Sequence, residues 1–321
     1  MTKEKFVIGL DLGGTNIKGA LLDMDGHTRE KIRISTLAEQ GAEKVVDRMA
    51  GVVEDLIQWG NLDKSQILGV GVGVPGQLDY RAGKVKFAPN LHWRDFPLRE
   101  ELVRRLGVPV FLENDGNVAA LGEKWAGAAR EARNVLAITI GTGIGGGILV
   151  DGRIYRGSGG SAAEVGHMIM DENGPLCNCG RRGCLETLTA APAILRQARE
   201  AIAAGRKTSL AAQKELDAKD VFIAAERGDL VAREIIERVS HYLGLAIANL
   251  INVLNPDMVV IGGGVARAGD ILINPIREKA LAHSLEAAAE VVRIVPAHLG
   301  NDAGCIGAGA LVFQELEVRL V

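Results

Sequence analysis

No apolar run in this chain is both long and clean enough to cross a membrane. The longest, Leu243 to Val265, is interrupted by Asn249, Asn252, Asn255, Pro256 and Asp257, whereas a spanning helix needs about 20 mostly apolar residues. The N-terminal apolar run is broken by the carboxylate of Asp11, which argues against a secretory signal. Long basic blocks are missing and the formal net charge is −3, so nucleic acid is not an expected partner. No low-complexity segment and no Pro/Ser-rich linker marks a domain boundary. The P-loop pattern G-x-x-x-x-G-K-[ST] does not occur, which removes that class of nucleotide site. Cysteine is scarce, with four in 321 residues and three of those at 177, 179 and 184. That pattern excludes a disulfide framework and reads as metal ligation in a reducing cytoplasm. The fourth, Cys305, reads as a small buried core residue.

What is present is an average globular composition, 47% hydrophobic and 24% charged, at a length that suits two α/β lobes. The first thirty residues read as a strand, a glycine turn, a second strand and a hairpin turn at Asp25-Gly26. A helix is expected from Gly41 to Trp59, where Val45, Val46, Met49, Val52, Val53, Leu56 and Ile57 recur at helical spacing. Then come a strand from Ile67 to Val74, a helix from Pro97 to Leu106, a strand from Val108 to Leu112 and a small-residue helix reaching Ala126. Asn134 to Ile140, a glycine turn, Gly147 to Val150 and Asp151-Gly152 repeat the opening order, a sign of two related lobes. Helices fill Thr187 to Asn255, with Asp220 and Asp229 as N-caps. A strand from Met258 to Ile261 and a last helix from Ala303 to about Glu317 complete the pattern.

Three glycine-rich turns follow strands: Gly13-Gly14-Thr15-Asn16 after Asp11, Gly141-Thr142-Gly143 with the glycines to 147, and Gly262-Gly263-Gly264. Glycine lets a backbone approach a phosphate and turn its N–H groups inward, and Thr15 and Thr142 add hydroxyl donors. Asp11 at the head of the first turn is placed to hold Mg²⁺. The plain alternative for each turn is a tight hairpin. Gly141-x-Gly143-x-x-Gly146 also fits the dinucleotide fingerprint, but a strand follows it where that motif requires a helix.

Cys177-x-Cys179-x4-Cys184, with His167 ten residues upstream, supplies a Cys₃His set suited to tetrahedral, structural Zn²⁺. Arg181 and Arg182 would offset its negative charge. The alternative is three reduced, buried thiols. A His167 that binds metal through one nitrogen keeps the other as an oriented donor. Glu164 and Glu186 stand at the ends of this segment, able to face a polar ligand. Asn114-Asp115 lies where an apolar strand passes into a helix, the edge at which α/β proteins bind ligands. Asp115 there is either a helix cap or the base that accepts a hydroxyl proton in phosphoryl transfer.

Taken together, Asp11-Leu-Gly-Gly-Thr15-Asn-Ile-Lys18, Gly73-Val-Pro-Gly76, Glu113-Asn-Asp115, Ala119-Ala-Leu-Gly-Glu123, Gly141-Thr-Gly-Ile-Gly-Gly-Gly147, Glu164-Val-Gly-His167, the cysteine cluster ending in Glu186, and Val259-Val-Ile-Gly-Gly-Gly264 carry a resemblance across nearly the whole chain. The chain resembles the ROK family of sugar kinases and repressors, and within it the ROK-type glucokinases. The resemblance implies an actin-like, ribonuclease H-related two-lobe α/β fold with ATP and sugar meeting in the interlobe cleft. It implies a small lobe over residues 1–115, a large zinc-bearing lobe over 116–302, and a last helix, 303–321, packing back on the small lobe. Asp115 corresponds to the catalytic base. Asn114, Glu164, His167 and Glu186 match the sugar ligands, with Asn90 as an addition. Asp11 and the turns at 13–16 and 141–143 match the MgATP site, and Gly262, Gly263 and Gly264 lie where adenosine is held. His167 in the family both binds zinc and touches the sugar.

The implied reaction is phosphorylation of a hexose 6-hydroxyl, with glucose ahead of mannose, fructose, N-acetylglucosamine and N-acetylmannosamine. The rivals are a non-catalytic sugar sensor of the repressor type and an actin-like ATPase with no small-molecule acceptor. Two departures stand out: Ala163 replaces the usual glycine before Glu164, and the phosphate turn begins at Asp11, leaving no room for the repressors' helix-turn-helix. Relatives commonly form dimers or tetramers, so a cytoplasmic homo-oligomer is expected.

Overall fold

The computed structural model describes residues 4–317. It begins with strands β1 (Phe6–Leu12), β2 (Asn16–Leu22) and β3 (Thr28–Ser35), helix α1 (Ala42–Trp59) and strand β4 (Ile67–Val74). Strands β5 (Gln77–Asp79), β6 (Lys84–Ala88) and β7 (Trp93–Phe96) follow, then helix α2 (Leu98–Leu106), strand β8 (Val110–Asn114) and helix α3 (Asp115–Ala126). The second series opens with β9 (Val135–Ile140), β10 (Ile144–Val150) and β11 (Arg153–Ile154). Helices α4 (Leu185–Thr189), α5 (Ala191–Ala203), α6 (Ala218–Glu226) and α7 (Leu230–Leu254) come next. Strand β12 (Met258–Gly262), helices α8 (Asp270–His283) and α9 (Glu286–Ala289), strand β13 (Arg293–Pro296) and helix α10 (Ala303–Glu315) end the series.

The two five-stranded sheets share one plan, β3-β2-β1-β4-β8 and β11-β10-β9-β12-β13. In each, the later strands join parallel to the first. The repeated hairpin seen in the sequence is therefore matched by a repeated strand order. A separate three-stranded sheet, β5-β6-β7, had no clear sequence signal, because its strands are short and polar on one side.

Contacts divide the chain into two compact units. The first holds the described residues up to Ala132, Gly147–Ala162 and those from His298 onward; the second holds Arg133–Gly146 and Ala163–Ala297. The boundary thus falls after α3, not after residue 115, and the described part of the last helix lies in the first unit. Residues 318–321 of the expected final segment lie outside the described residues. In the first unit α10 packs directly on β1 and β4. Gly9 and Gly71 permit this approach, since a Cβ on either would collide with the Cys305 or Ala308 carbonyl oxygen. Helix α3 joins the same unit because Gly122 and Gly307 bring it equally close to α10. Helix α1 buries Val45, Val46, Met49, Val52, Val53 and Leu56 in the core it shares with β1, β4 and β8, each worth about 1.5–3 kcal/mol. Cys305 is buried as expected, and burial pushes its thiol up to about 12.

Three local expectations need correction. Strand β8 begins at Val110, not Val108, because Gly107 ends α2 in the left-handed region and Pro109 has no N–H for a ladder. The Pro109 carbonyl instead accepts from Val70 N at 2.8 Å. Asp220 is not an N-cap. Asp217 caps α6, and Asp220 reaches back to the Asp217 N–H at 2.8 Å as the other half of a capping box. The helical stretch from Thr187 is broken into separate helices, with a 3-10 turn at Ser209–Ala212. Asp229 does cap α7, accepting from Ala232 N at 3.0 Å.

Candidate functional site

In the first unit the candidate residues gather at the carboxyl ends of the parallel strands β1, β4 and β8, where Asp11 pairs in register with Gly73, and Val74 with Asn114. The β1–β2 turn is closed by Gly13 N–H donating to the Asn16 carbonyl at 2.9 Å. Thr36 fastens it from outside, with its hydroxyl 2.6 Å from Gly13 O and its N–H 2.8 Å from Thr15 O. Asn16 Oδ1 accepts from Arg33 Nε at 3.2 Å. Asp11 accepts from Lys18 Nζ at 2.9 Å, and Lys18 also donates to the Asn301 carbonyl at 3.2 Å. A Cβ on Gly304, in the first turn of α10, would lie 2.8 Å from the Asp11 carboxyl carbon, so the acid is seated at that helix start.

Asn90 is exposed on the 3-10 turn Pro89–Leu91, and its Cβ packs over Gly14 at 3.1 Å from where a Cβ would stand. Asn114 is the N-cap of α3, accepting from Gly116 N at 2.9 Å and Asn117 N at 3.4 Å. Asp115 is therefore the first residue of the helix, with Oδ1 accepting from Gly116 N at 2.9 Å. Of the two readings of the Asn-Asp pair, capping falls mainly to Asn114.

In the second unit, Ala163 has φ of 67°, the left-handed region that glycine would occupy without strain. Glu164 follows with φ −71° and ψ 52°, and Val165 N–H donates to the Ala163 carbonyl at 2.7 Å. Those values make Glu164 the centre of an inverse γ-turn. The next residues, Val165–His167, form a 3-10 turn that brings His167 Nε2 to 4.0 Å from Glu164 Oε2. The opposite ring nitrogen, Nδ1, lies 3.7 Å from Cys177 Sγ. Cys179 and Cys184 Sγ are 3.6 Å apart, and all four possible ligand atoms lie within 4.8 Å of one another. A tetrahedral site with Zn–S near 2.3 Å has edges of about 3.8 Å, so the donor set fits such an ion. The Arg181 backbone N–H holds the Cys179 thiol below its ordinary value, while burial pushes the Cys184 thiol up to about 12. Arg182 donates instead to the Gly174 carbonyl at 3.4 Å.

Glu186, in the first turn of α4, accepts from Ile144 N at 3.0 Å, and Gly143 leaves the space that its carboxylate fills. The turn at Gly141-Thr142-Gly143 is thereby tied to one of the acids expected to bind sugar. Gly262, Gly263 and Gly264 follow β12, the parallel neighbour of β9. Gly263 has φ of 92° and packs on the Ile140 backbone, beside Gly141.

Sequence reasoning assigned no role to Lys18, Glu113 or Arg156. Lys18 was legible, since counting back from the glycine turn puts it opposite Asp11 in the hairpin. The buried Glu113 and the partly exposed Arg156 form an ion pair at 2.6 Å across 43 residues, for which no local pattern exists.

The ROK family model matches residues 7–315. The glucokinase of Halalkalibacterium halodurans is 42% identical over 317 residues, covering 97% of this chain and 96% of that one. The glucokinase of Thermotoga maritima is 41% identical over 315 residues, covering 97% and 98%. A crystal structure of a ROK family glucokinase from Streptomyces griseus, in complex with glucose and AMPPNP, has a TM-score of 0.80 at 33% identity and covers 96% of this chain and 99% of that one. The sheet order repeated in two units is that of the actin-like, two-lobe α/β kinase fold. With its motifs, its sheets and its length all accounted for, the chain belongs to the ROK family.

Proposed function

We propose that this protein transfers the γ-phosphoryl group of ATP to the 6-hydroxyl of a hexose, with glucose as the leading acceptor. One observation carries the reading: a seated acid and its glycine turn share a strand edge with Asp115. Only β4 separates β1 from β8, so at about 4.8 Å per strand step the two strand ends stand ~10 Å apart. That span suits a polyphosphate held at one end and an acceptor hydroxyl at the other. The glucokinase relatives and the glucose–AMPPNP complex support the same chemistry.

In this reading Asp115 accepts the proton of the sugar's primary hydroxyl as that oxygen attacks the γ-phosphorus in line. Asn90, Asn114, Glu164, His167 and Glu186 bind the ring hydroxyls, the carboxylates bridging neighbouring hydroxyls. The turns at Gly13 to Asn16 and Gly141 to Gly143 receive the phosphates, with Gly262 to Gly264 against the adenosine. Asp11 is the residue for Mg²⁺, which supplies neutralising charge when it accompanies ATP. His167, Cys177, Cys179 and Cys184 would hold a structural Zn²⁺, which aims the second nitrogen of His167 at the Glu164 side.

A coupled ADP-release assay over a hexose panel tests the acceptor. Turnover with glucose is expected; turnover confined to another sugar would replace it with that sugar, and sugar-independent hydrolysis would remove the kinase reading. A cytoplasmic dimer or tetramer goes with this function, and light scattering of the purified chain reads the assembly.

A further inference from the structure

At the penultimate position of β8, two residues before the proposed base, stands a carboxylate with no contact to solvent. Glu113 is 0% exposed, and both its oxygens are engaged. Oε1 accepts from the Asn114 backbone N–H at 2.8 Å and from Asn117 Nδ2 at 2.9 Å. Oε2 accepts from Arg156 Nε at 2.6 Å, and Arg156 Nη2 continues to Glu315 Oε1 at 2.6 Å. The guanidinium also lies 4.9 Å from the centre of the Tyr80 ring, whose hydroxyl donates to the Gly160 carbonyl at 3.3 Å. Burial pulls the Arg156 guanidinium down, yet Glu113 and Glu315 outweigh it and hold it above its ordinary value.

This arrangement is costly for a purely structural purpose. Taking the Glu113 carboxylate fully out of water is expensive, and a guanidinium that is itself 28% exposed offsets that cost only in part, which calls for another account. The geometry supplies one. The two acceptor bonds of Oε1 grip the residues on either side of Asp115, one before it and one in the first turn after it. Arg156 holds that carboxylate from the opposite oxygen and anchors it to the end of α10. Rotation of the Glu113 side chain, and with it the start of α3, is blocked from both ends.

We propose that Glu113, locked by Arg156 and Glu315, is a positioning residue that sets the direction of the Asp115 carboxylate. The inference rests on the reading of Asp115 as the base. Glu113→Gln keeps one acceptor oxygen but sets an amide N–H₂ against the Arg156 donor. The expected result is a kcat lowered by about 10- to 100-fold, the cost of misplacing a reacting group by roughly an ångström. KM for MgATP stays within about twofold, because the Glu113 carboxylate is bound to Asn114, Asn117 and Arg156, which lie outside the phosphate turns. Groups that act as a unit are non-additive, so in an Asp115→Asn background the same change lowers the residual rate less than about twofold.

Full activity in E113Q, or an equal loss in both backgrounds, overturns the inference and leaves Asp115 in place. Full activity in D115N alone overturns the reading beneath it. If E113Q does not fold, the charge-balanced pair Glu113→Gln with Arg156→Met replaces it, and wild-type kcat in that folded double variant is equally fatal. Arg156→Lys keeps the charge and one donor, and should recover part of the rate that Arg156→Met loses.

Discussion

Replacing Ala163 with glycine separates two effects that act in opposite directions. The residue sits at φ 67° immediately before Glu164, whose side chain is 57% exposed and held by backbone geometry more than by packing. An L-residue in this region costs about 1–2 kcal/mol, which glycine does not incur. Glycine loses about 0.4–1 kcal/mol more unfolded-chain entropy on folding. The net expectation is a variant up to ~1.6 kcal/mol more stable, melting up to about 6 °C higher for a unit of this size. Substrate binding should move the other way. A glycine hinge lets Glu164 leave its γ-turn in the unliganded protein, and re-ordering it costs a similar ~0.4–1 kcal/mol. That corresponds to a glucose KM raised about two- to fivefold, with kcat unchanged. Differential scanning fluorimetry and steady-state kinetics read the two quantities on one preparation. A lower melting temperature together with an unchanged KM would refute the argument, since the left-handed strain would then have no hold on Glu164.

Asp115→Asn preserves the acceptor for Gly116 N–H and should leave stability nearly unaltered while lowering kcat by about 10²–10⁴, the usual share of a general base; retention of more than a tenth of the rate contradicts the assignment. Metal analysis of freshly purified, reduced protein should find zinc near one equivalent per chain, and a strong chelator or Cys184→Ser should loosen the Glu164–Glu186 segment, raising KM for sugar before kcat falls. For Asp229, burial acts upward, but the Ser209 and Thr208 hydroxyls and the Ser209 and Ala232 N–H groups outweigh it and bring its pKa from 3.8 to about 2. A depressed acid stabilises the fold above its unfolded value and loses that contribution as pH falls through the folded one. Asp229→Asn should therefore cost about 1–2 kcal/mol at neutral pH, with most of that cost gone near pH 2 and the rest lost below it, as read by urea unfolding at both pH values.

Legibility followed sequence distance. Strand β4 and helix α1 were readable almost to the residue, because an apolar run closed by Pro75-Gly76 and a helical stripe closed by Gly60 are local signals. The boundary of β8 was not, since Val108 is as apolar as Val110 and only Pro109 between them decides where the ladder begins. The same held for Asp220, where two acids three apart share one capping box and either reads as the cap. The candidate site followed this rule. Its cysteines, glycine turns and Asn114-Asp115 announce themselves by type and spacing. The Glu113–Arg156–Glu315 chain joins residues from separate parts of the first unit, and no periodicity links them.

The sequence alone determined which chemistry this protein carries, because a metal set, a phosphate turn and a strand-end acid each need certain residue types within a few positions. Tertiary structure decided how that chemistry is aimed. It put Ala163 in a left-handed turn that presents Glu164, gave Nδ1 of His167 to the cysteines and Nε2 to the acid, and brought a buried carboxylate beneath Asp115. Each depends on backbone torsions and long-range packing, which close only when the whole chain has found its fold.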